Sequence, residues 1–213
     1  LSLKFRIIAI DLPGFGQSPT PTSLVNASAI QAQEFLVEFL KDWFNTVGIT
    51  DNAILLGHSF GSFICIHFAK CYPEKVSRVI LFDTAGILPT LGNSGAYWAV
   101  FFNLSPIQSC IRFLGPIGVW VAYTWFLQLN ADEEVYYWFQ LLAEPTAIGD
   151  LLVARNITVN WLTGEAFWNN PALKELTQIK SPISLVYGDC DTISPPHQGH
   201  LLAGLLGPKI TCM

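Results

Sequence analysis

The spacing of Gly57, Ser59 and Gly61 is that of a serine made into a nucleophile. The motif Gly57-His58-Ser59-Phe60-Gly61 follows the apolar run Ala53-Ile54-Leu55-Leu56 and precedes apolar positions at Phe63, Ile64, Ile66, Phe68 and Ala69. That order predicts a strand, a sharp turn and a buried helix, the context that separates a nucleophile elbow from a chance Gly-x-Ser-x-Gly. Both glycines are expected to be needed, because side chains there would clash in a strained turn. Ser62 keeps the next position small. Ser59 would stand at the strand tip with its hydroxyl offered to a base. Phe60 would open the helix, its backbone N–H one donor of an oxyanion hole. The chemistry is attack on an acyl carbonyl and formation of an acyl-enzyme.

Serine is a weak nucleophile without a base, and the base needs an acid to orient it. Asp191 is the candidate acid, in the turn Gly188-Asp189-Cys190-Asp191 after the apolar run Ile183 to Tyr187. Loops at strand ends carry catalytic side chains in parallel-sheet proteins. Asp189 is the near rival, with turn capping as its alternative role. Asp83, after the apolar run that follows the elbow helix, is a second rival, with loop organisation as its alternative and preferred role. Asp11 is read as tying down its own loop.

None of the four histidines fits the base well. His58 adjoins Ser59, and its side chain is expected to point elsewhere. His67 falls among apolar helix positions, as a satisfied core histidine would. His197 and His200 follow Asp191 closely and are placed on the next helix. No His/Cys/Asp/Glu cluster has metal-ligand spacing and no Gly-rich phosphate loop follows a strand, so neither a metal nor a cofactor is expected.

The elements that position these residues alternate. Residues 5–11 read as a strand running into the turn-rich loop Leu12 to Ser18. An amphipathic helix is expected over 28–47, with Ile30, Phe35, Leu36, Phe39, Leu40, Trp43, Phe44 and Val47 at helical spacing and Gly48 as its cap. After the elbow helix come a strand at 76–82, a strand at 183–187, a helix at about 196–206 and the start of a strand at 209–213. The fold class is α/β, with a mostly parallel, doubly wound sheet covered on both faces.

Residues 87–176 differ. From Ile87 to Ala131 the single charged residue is Arg112, and six of the seven tryptophans lie in the insert: Trp98, Trp120, Trp125, Trp138, Trp161 and Trp168. Gly115 and Pro116 interrupt the apolar run, so no stretch reaches the roughly 20 residues of a membrane span. The organisation expected is core at 1–86, a helical, aromatic-rich cap at 87–176 and core again at 177–213. The insert is read as covering the site and touching lipid, beside the plainer reading of a core between cap and body.

The chain is 51% hydrophobic and 13% charged, with net charge −5 and no basic cluster, which removes electrostatic support for nucleic-acid binding. The five cysteines show no disulfide framework, and a reducing compartment is expected. The location expected is intracellular, cytoplasmic or peripheral on membranes. The sequons at Asn26, Asn103 and Asn156 carry little weight without a signal peptide.

Together these residues resemble the α/β-hydrolase superfamily. Asp11-Leu12-Pro13-Gly14-Phe15-Gly16-Gln17-Ser18 is similar to its Asp-x-x-Gly-x-Gly-x-Ser loop, and Gly57 to Gly61 to its elbow. Tyr72-Pro73-Glu74-Lys75-Val76 resembles its helix-to-strand link, and Gly188 to Asp191 its acid turn. In the insert, Gly115-Pro116-Ile117-Gly118 and Thr163-Gly164-Glu165-Ala166-Phe167 resemble the branch of lysophospholipases, the cardiolipin deacylase and lipid-droplet lipase coactivators. Some coactivators lack the serine; this chain keeps it. The resemblance implies a fragment. The family's upstream His-Gly motif and its catalytic histidine, in a loop after the last strand, are both absent, so this stretch is expected to be inactive and poorly stable by itself.

The function expected is a serine hydrolase of lipid carboxylic esters, lysophospholipase- or phospholipase-like, with acyl transfer to another alcohol competing with hydrolysis. The partners are a lipid or acyl-ester substrate and a peripheral membrane or lipid-droplet surface, not nucleic acid. The alternatives are a peptidase or small-ester hydrolase of the same fold, and a lipid-binding regulator without turnover.

Overall fold

The computed structural model of the chain describes residues 4–15, 18–19, 21–24, 27–84, 87, 113–115, 117–118, 120–121, 172–191, 196–207 and 210–212. The chain forms two compact units, one of Leu1–Ser28 with Ala96–Ile157, the other of Ala29–Gly95 with Thr158–Met213. The second unit holds the described sheet. Its elements are α1 (Ala29–Thr46), β1 (Ala53–His58), α2 (Phe60–Cys71), β2 (Val76–Phe82), α3 (Leu173–Gln178), β3 (Ile183–Val186), α4 (Pro196–Leu206) and β4 (Ile210–Cys212).

The apolar positions of α1 recur at Ala32, Leu36, Leu40 and Phe44, all buried, with Val37 beside them. Residues four apart share a helix face, so this stripe turns inward. Ile30, expected on it, is exposed. The helix ends as predicted: Gly48 has φ 75 and the Ile49 N–H bonds back to Phe44 O at 2.8 Å, a left-handed C-cap.

The four strands pair in the order β1-β2-β3-β4, and every pair is parallel. The register sets Leu55 beside Val79 and Val79 beside Ile183, then Gly57 beside Leu81 and Leu81 beside Leu185. Side chains alternate faces along a strand, so these six share one face. Helix α2 packs against β1 and β2 and is buried from Ser62 to Ala69. The Phe68 ring is fully buried against Phe44 of α1, with centroids 4.9 Å apart. Truncating such a ring to alanine costs about 3–5 kcal/mol. On the opposite face of β1, Ile54 and Leu56 are 39% and 58% exposed.

In the first unit the strand expected at 5–11 is not formed. Residues 6–10 pair with no described strand, and Phe5, Ile7 and Ile8 are exposed. An apolar run becomes a strand only where a neighbour takes its N–H and C=O groups. In the following loop Ser18 Oγ donates to Asp11 O at 2.7 Å and Gly14 N–H to Pro19 O at 3.2 Å. Asp11 contributes its carbonyl there. The 87–176 insert lies mostly outside the described residues. No helix among them is long and apolar enough to cross a membrane.

Candidate active site

Because β1, β2 and β3 are parallel neighbours, their C-terminal ends line one rim of the sheet. Ser59 follows β1, Asp83 follows β2, and the turn 188–191 follows β3 by one residue. Ser59, Asp83 and Asp191 therefore all lie on this rim, with Asp83 just past the end of the middle strand.

Ser59 sits between β1 and α2 with φ 50 and ψ −115. That pairing lies outside the regions open to a residue with a Cβ, and the surroundings hold it there. Gly57 permits the turn: a Cβ on it would meet the Cα and N of Ser62 at 2.6 Å. Gly61 is different. A Cβ there meets nothing within 4 Å, so the expectation that both glycines relieve a clash holds for Gly57 alone. Ser62 proves to be more than small. Its buried hydroxyl donates to Gly57 O at 2.7 Å and to Phe82 O at 3.2 Å, strapping the turn to both strands.

Ser59 occupies the N-cap position of α2, yet its hydroxyl makes no capping hydrogen bond. A serine at an N-cap usually accepts from the first turn. Here its carbonyl takes that part, accepting from Ser62 N–H at 3.1 Å, and the half-buried side chain is left for other work. Phe60 opens α2, so its N–H belongs to the helix end where partial positive charge collects and favours an oxyanion.

The acid turn is closed by Asp191 N–H donating to Gly188 O at 3.2 Å. Asp191 is half-buried, whereas Asp189 and Cys190 are exposed. Asp83 has φ 42. Its Oδ1 accepts Gly188 N–H at 2.9 Å, and its Oδ2 lies 4.0 Å from His58 Nε2. Sequence reasoning allowed Asp83 a loop-organising part but gave no partner. The signal lay in the pairing of β2 with β3, which a single sequence does not display.

The four histidines fall in three environments. His58 is exposed on the rim. His197 and His200 are exposed on α4, as expected. His67 is buried in α2, its Nδ1 3.0 Å from Gln33 Nε2 and its ring 4.4 Å from that of Phe63. It is a core histidine, as expected, satisfied at Nδ1, while its buried Nε2 has no hydrogen-bond partner among the described residues. Burial pushes its pKa down to about 4, so it is neutral near pH 7. Burial likewise pushes the Cys65 thiol up to about 12 and removes it as a nucleophile. Among the described residues no group of three or more His, Cys, Asp or Glu could hold a metal ion.

The family described as alpha/beta hydrolase fold matches residues 1–106. A probable 1-acylglycerol-3-phosphate O-acyltransferase of Oryza sativa subsp. japonica is 26% identical over 218 residues, covering 90% of this chain and 50% of that protein. A (lyso)-N-acylphosphatidylethanolamine lipase of Mus musculus is 37% identical over 86 residues, covering 40% of this chain and 24% of that protein. The chain thus spans half the length of the first relative and less of the second. Among solved structures, a meta-cleavage product hydrolase from Pseudomonas fluorescens superposes with a TM-score of 0.64 at 20% identity, over 100% of this chain and 71% of that one. At that identity the likeness is one of fold.

Proposed function

This chain belongs to the α/β-hydrolase superfamily, and from that premise we propose that the whole protein is a serine hydrolase of lipid acyl esters. The observation that carries the reading is Ser59 at the tip of β1, strained at φ 50 and ψ −115, its hydroxyl not spent on capping α2. Strain of that kind persists where the surroundings over-determine it, and it clusters at active sites.

In this reading Ser59 Oγ attacks the ester carbonyl while its proton passes to a general base. The oxyanion gathers at the start of α2, where Phe60 N–H is one donor. Collapse of the tetrahedral intermediate releases the alcohol, which takes the proton, and leaves an acyl group on Ser59. Water returns the free acid; a second alcohol instead gives acyl transfer. Asp191 is the acid that orients the base.

The lipid part rests on two supports. Two of the similar proteins named above, the acyltransferase and the lipase, are named for 1-acylglycerol-3-phosphate and for (lyso)-N-acylphosphatidylethanolamine. In the insert, Phe113, Leu114, Ile117, Trp120 and Val121 are all exposed, from 47% for Leu114 to 90% for Phe113. Aromatic and aliphatic side chains so presented suit the boundary of a lipid surface.

A fluorophosphonate probe tests the reading. Covalent label on Ser59 of the whole protein, lost in Ser59→Ala, is the expected result. A folded protein that binds lipid vesicles but takes no label would be a regulator, and the proposal would fall.

A further inference from the structure

Asp83 touches both turns of the candidate site. Its Oδ1 accepts Gly188 N–H at 2.9 Å and its own N–H donates to Val186 O at 2.9 Å, so side chain and backbone both hold the segment leading to Asp191. On the other side its Oδ2 lies 4.0 Å from Nε2 of His58, the residue before Ser59. The peptide just before Asp83 carries the nucleophile turn: Phe82 O accepts Ser59 N–H at 3.0 Å. A side chain placed at Gly188 would meet Asp191 Cβ at 3.8 Å and Asp83 Oδ1 at 4.0 Å, so both acidic residues flank one glycine. The backbone of Asp83, at φ 42, is in the left-handed region that short polar residues such as Asp tolerate best.

We propose that Asp83 is a positioning residue, whose carboxylate clamps Gly188 N–H and so fixes Asp191 relative to Ser59. The proposal rests on the reading of Ser59 as nucleophile and Asp191 as acid. The two parts an aspartate can play here make different demands. An acid that stabilises an imidazolium must carry charge, and its amide analogue fails. A clamp needs only an acceptor oxygen, which an amide supplies. Loss of the clamp releases the turn, and a catalytic group displaced by about 1 Å can lose a hundredfold in rate.

The test compares Asp83→Ala, Asp83→Gly, Asp83→Asn and Asp191→Asn in the whole protein. Glycine suits the positive φ, so Asp83→Gly deletes the clamp without the backbone strain that alanine would carry there, and it serves as the second variant should Asp83→Ala not fold. Expected are a fall in kcat of about tenfold to a hundredfold for Asp83→Ala or Asp83→Gly, with KM little changed. Asp83→Asn should recover most of that loss, and Asp191→Asn should lose about 10⁴-fold. Amide hydrogen exchange at Gly188 should quicken in Asp83→Gly and return to the unaltered rate in Asp83→Asn. Asp83→Asn as impaired as Asp83→Gly, with Asp191→Asn active, would make Asp83 the acid and overturn the proposal. Unchanged exchange at Gly188 in Asp83→Gly would overturn it as well. Absence of fluorophosphonate label on Ser59 of the unaltered protein would overturn the underlying reading and this role with it, while the exchange result alone reports whether the clamp exists.

Discussion

The backbone N–H of Ser59 donates to the carbonyl oxygen of Phe82 at 3.0 Å, so the nucleophile turn hangs on β2 as well as on its own strand. With Ser62 also bonded to that carbonyl, at 3.2 Å, the turn cannot relax without loosening the sheet end. Ser59 is thereby kept in a conformation its Cβ disfavours. Ser59→Gly should therefore raise stability, by up to about 1 kcal/mol, as glycine enters positive φ freely. It should also abolish ester turnover, on the order of 10⁶-fold in kcat by analogy with subtilisin. A lower urea midpoint for Ser59→Gly than for the unaltered protein would show that the turn stores no strain.

The two glycines of the motif should respond differently. At Gly57 an added methyl meets the Ser62 backbone at 2.6 Å, which cannot swing away as a side chain would. Gly57→Ala should cost about 1–3 kcal/mol, as overpacking does, and should move Ser59 enough to weaken probe labelling. Gly61 lies in the first turn of α2 with open space around it. Gly61→Ala should hold or gain up to about 1 kcal/mol from helix propensity. Thermal melts of the two variants decide the matter, and equal losses would contradict it.

The core elements were legible because their signals are local. The period of α1, the cap at Gly48, the run Ala53 to Leu56 before Gly57 and the turn at Gly188 each lie within a few residues of the feature they specify. What sequence reasoning missed is long-range. The Asp83 carboxylate reaches Gly188 across 105 positions. Which motif glycine is indispensable depends on how closely Ser62 approaches Gly57. Residues 5–11 show the converse failure: an apolar run has strand character only when a partner strand is beside it, and composition does not supply the partner.

Lipid contact by the insert should separate from chemistry. Trp120 is 62% exposed and Phe113 is 90% exposed, so both present most of their apolar surface outward. The other insert tryptophans, Trp98, Trp125, Trp138, Trp161 and Trp168, lie outside the described residues. Flotation of the Phe113→Ser/Trp120→Ser protein with phosphatidylcholine vesicles should fall severalfold, while turnover of a short, water-soluble ester changes by less than about twofold. The chain carries net charge −5 and only Arg112 from Ile87 to Ala131. Salt should therefore barely affect the binding, in contrast to an electrostatically held protein. Equal losses in flotation and turnover would assign these side chains to packing.

His67 should make the second unit acid-sensitive. Its ring is buried in α2 beside Phe63, held neutral with a pKa near 4 against an ordinary 6.5. Desolvation is the main cause; Glu175 pulls the value up and Lys70 pushes it down, and these two form an ion pair at 3.6 Å. The unfolded chain binds this proton below about pH 6.5, whereas the folded chain refuses it until near pH 4. Stability is therefore complete above pH 6.5, declines as the pH falls towards 4, and loses nothing further from this residue below that. The loss has an upper limit of about 3 kcal/mol. Replacing His67 with Gln keeps a polar group facing Gln33 and removes the titration. Urea midpoints at pH 7.0 and 4.5 should then differ much less in His67→Gln than in the unaltered protein, whatever the substitution costs at neutral pH. An equal acid shift in both would move the sensitivity to the carboxylates.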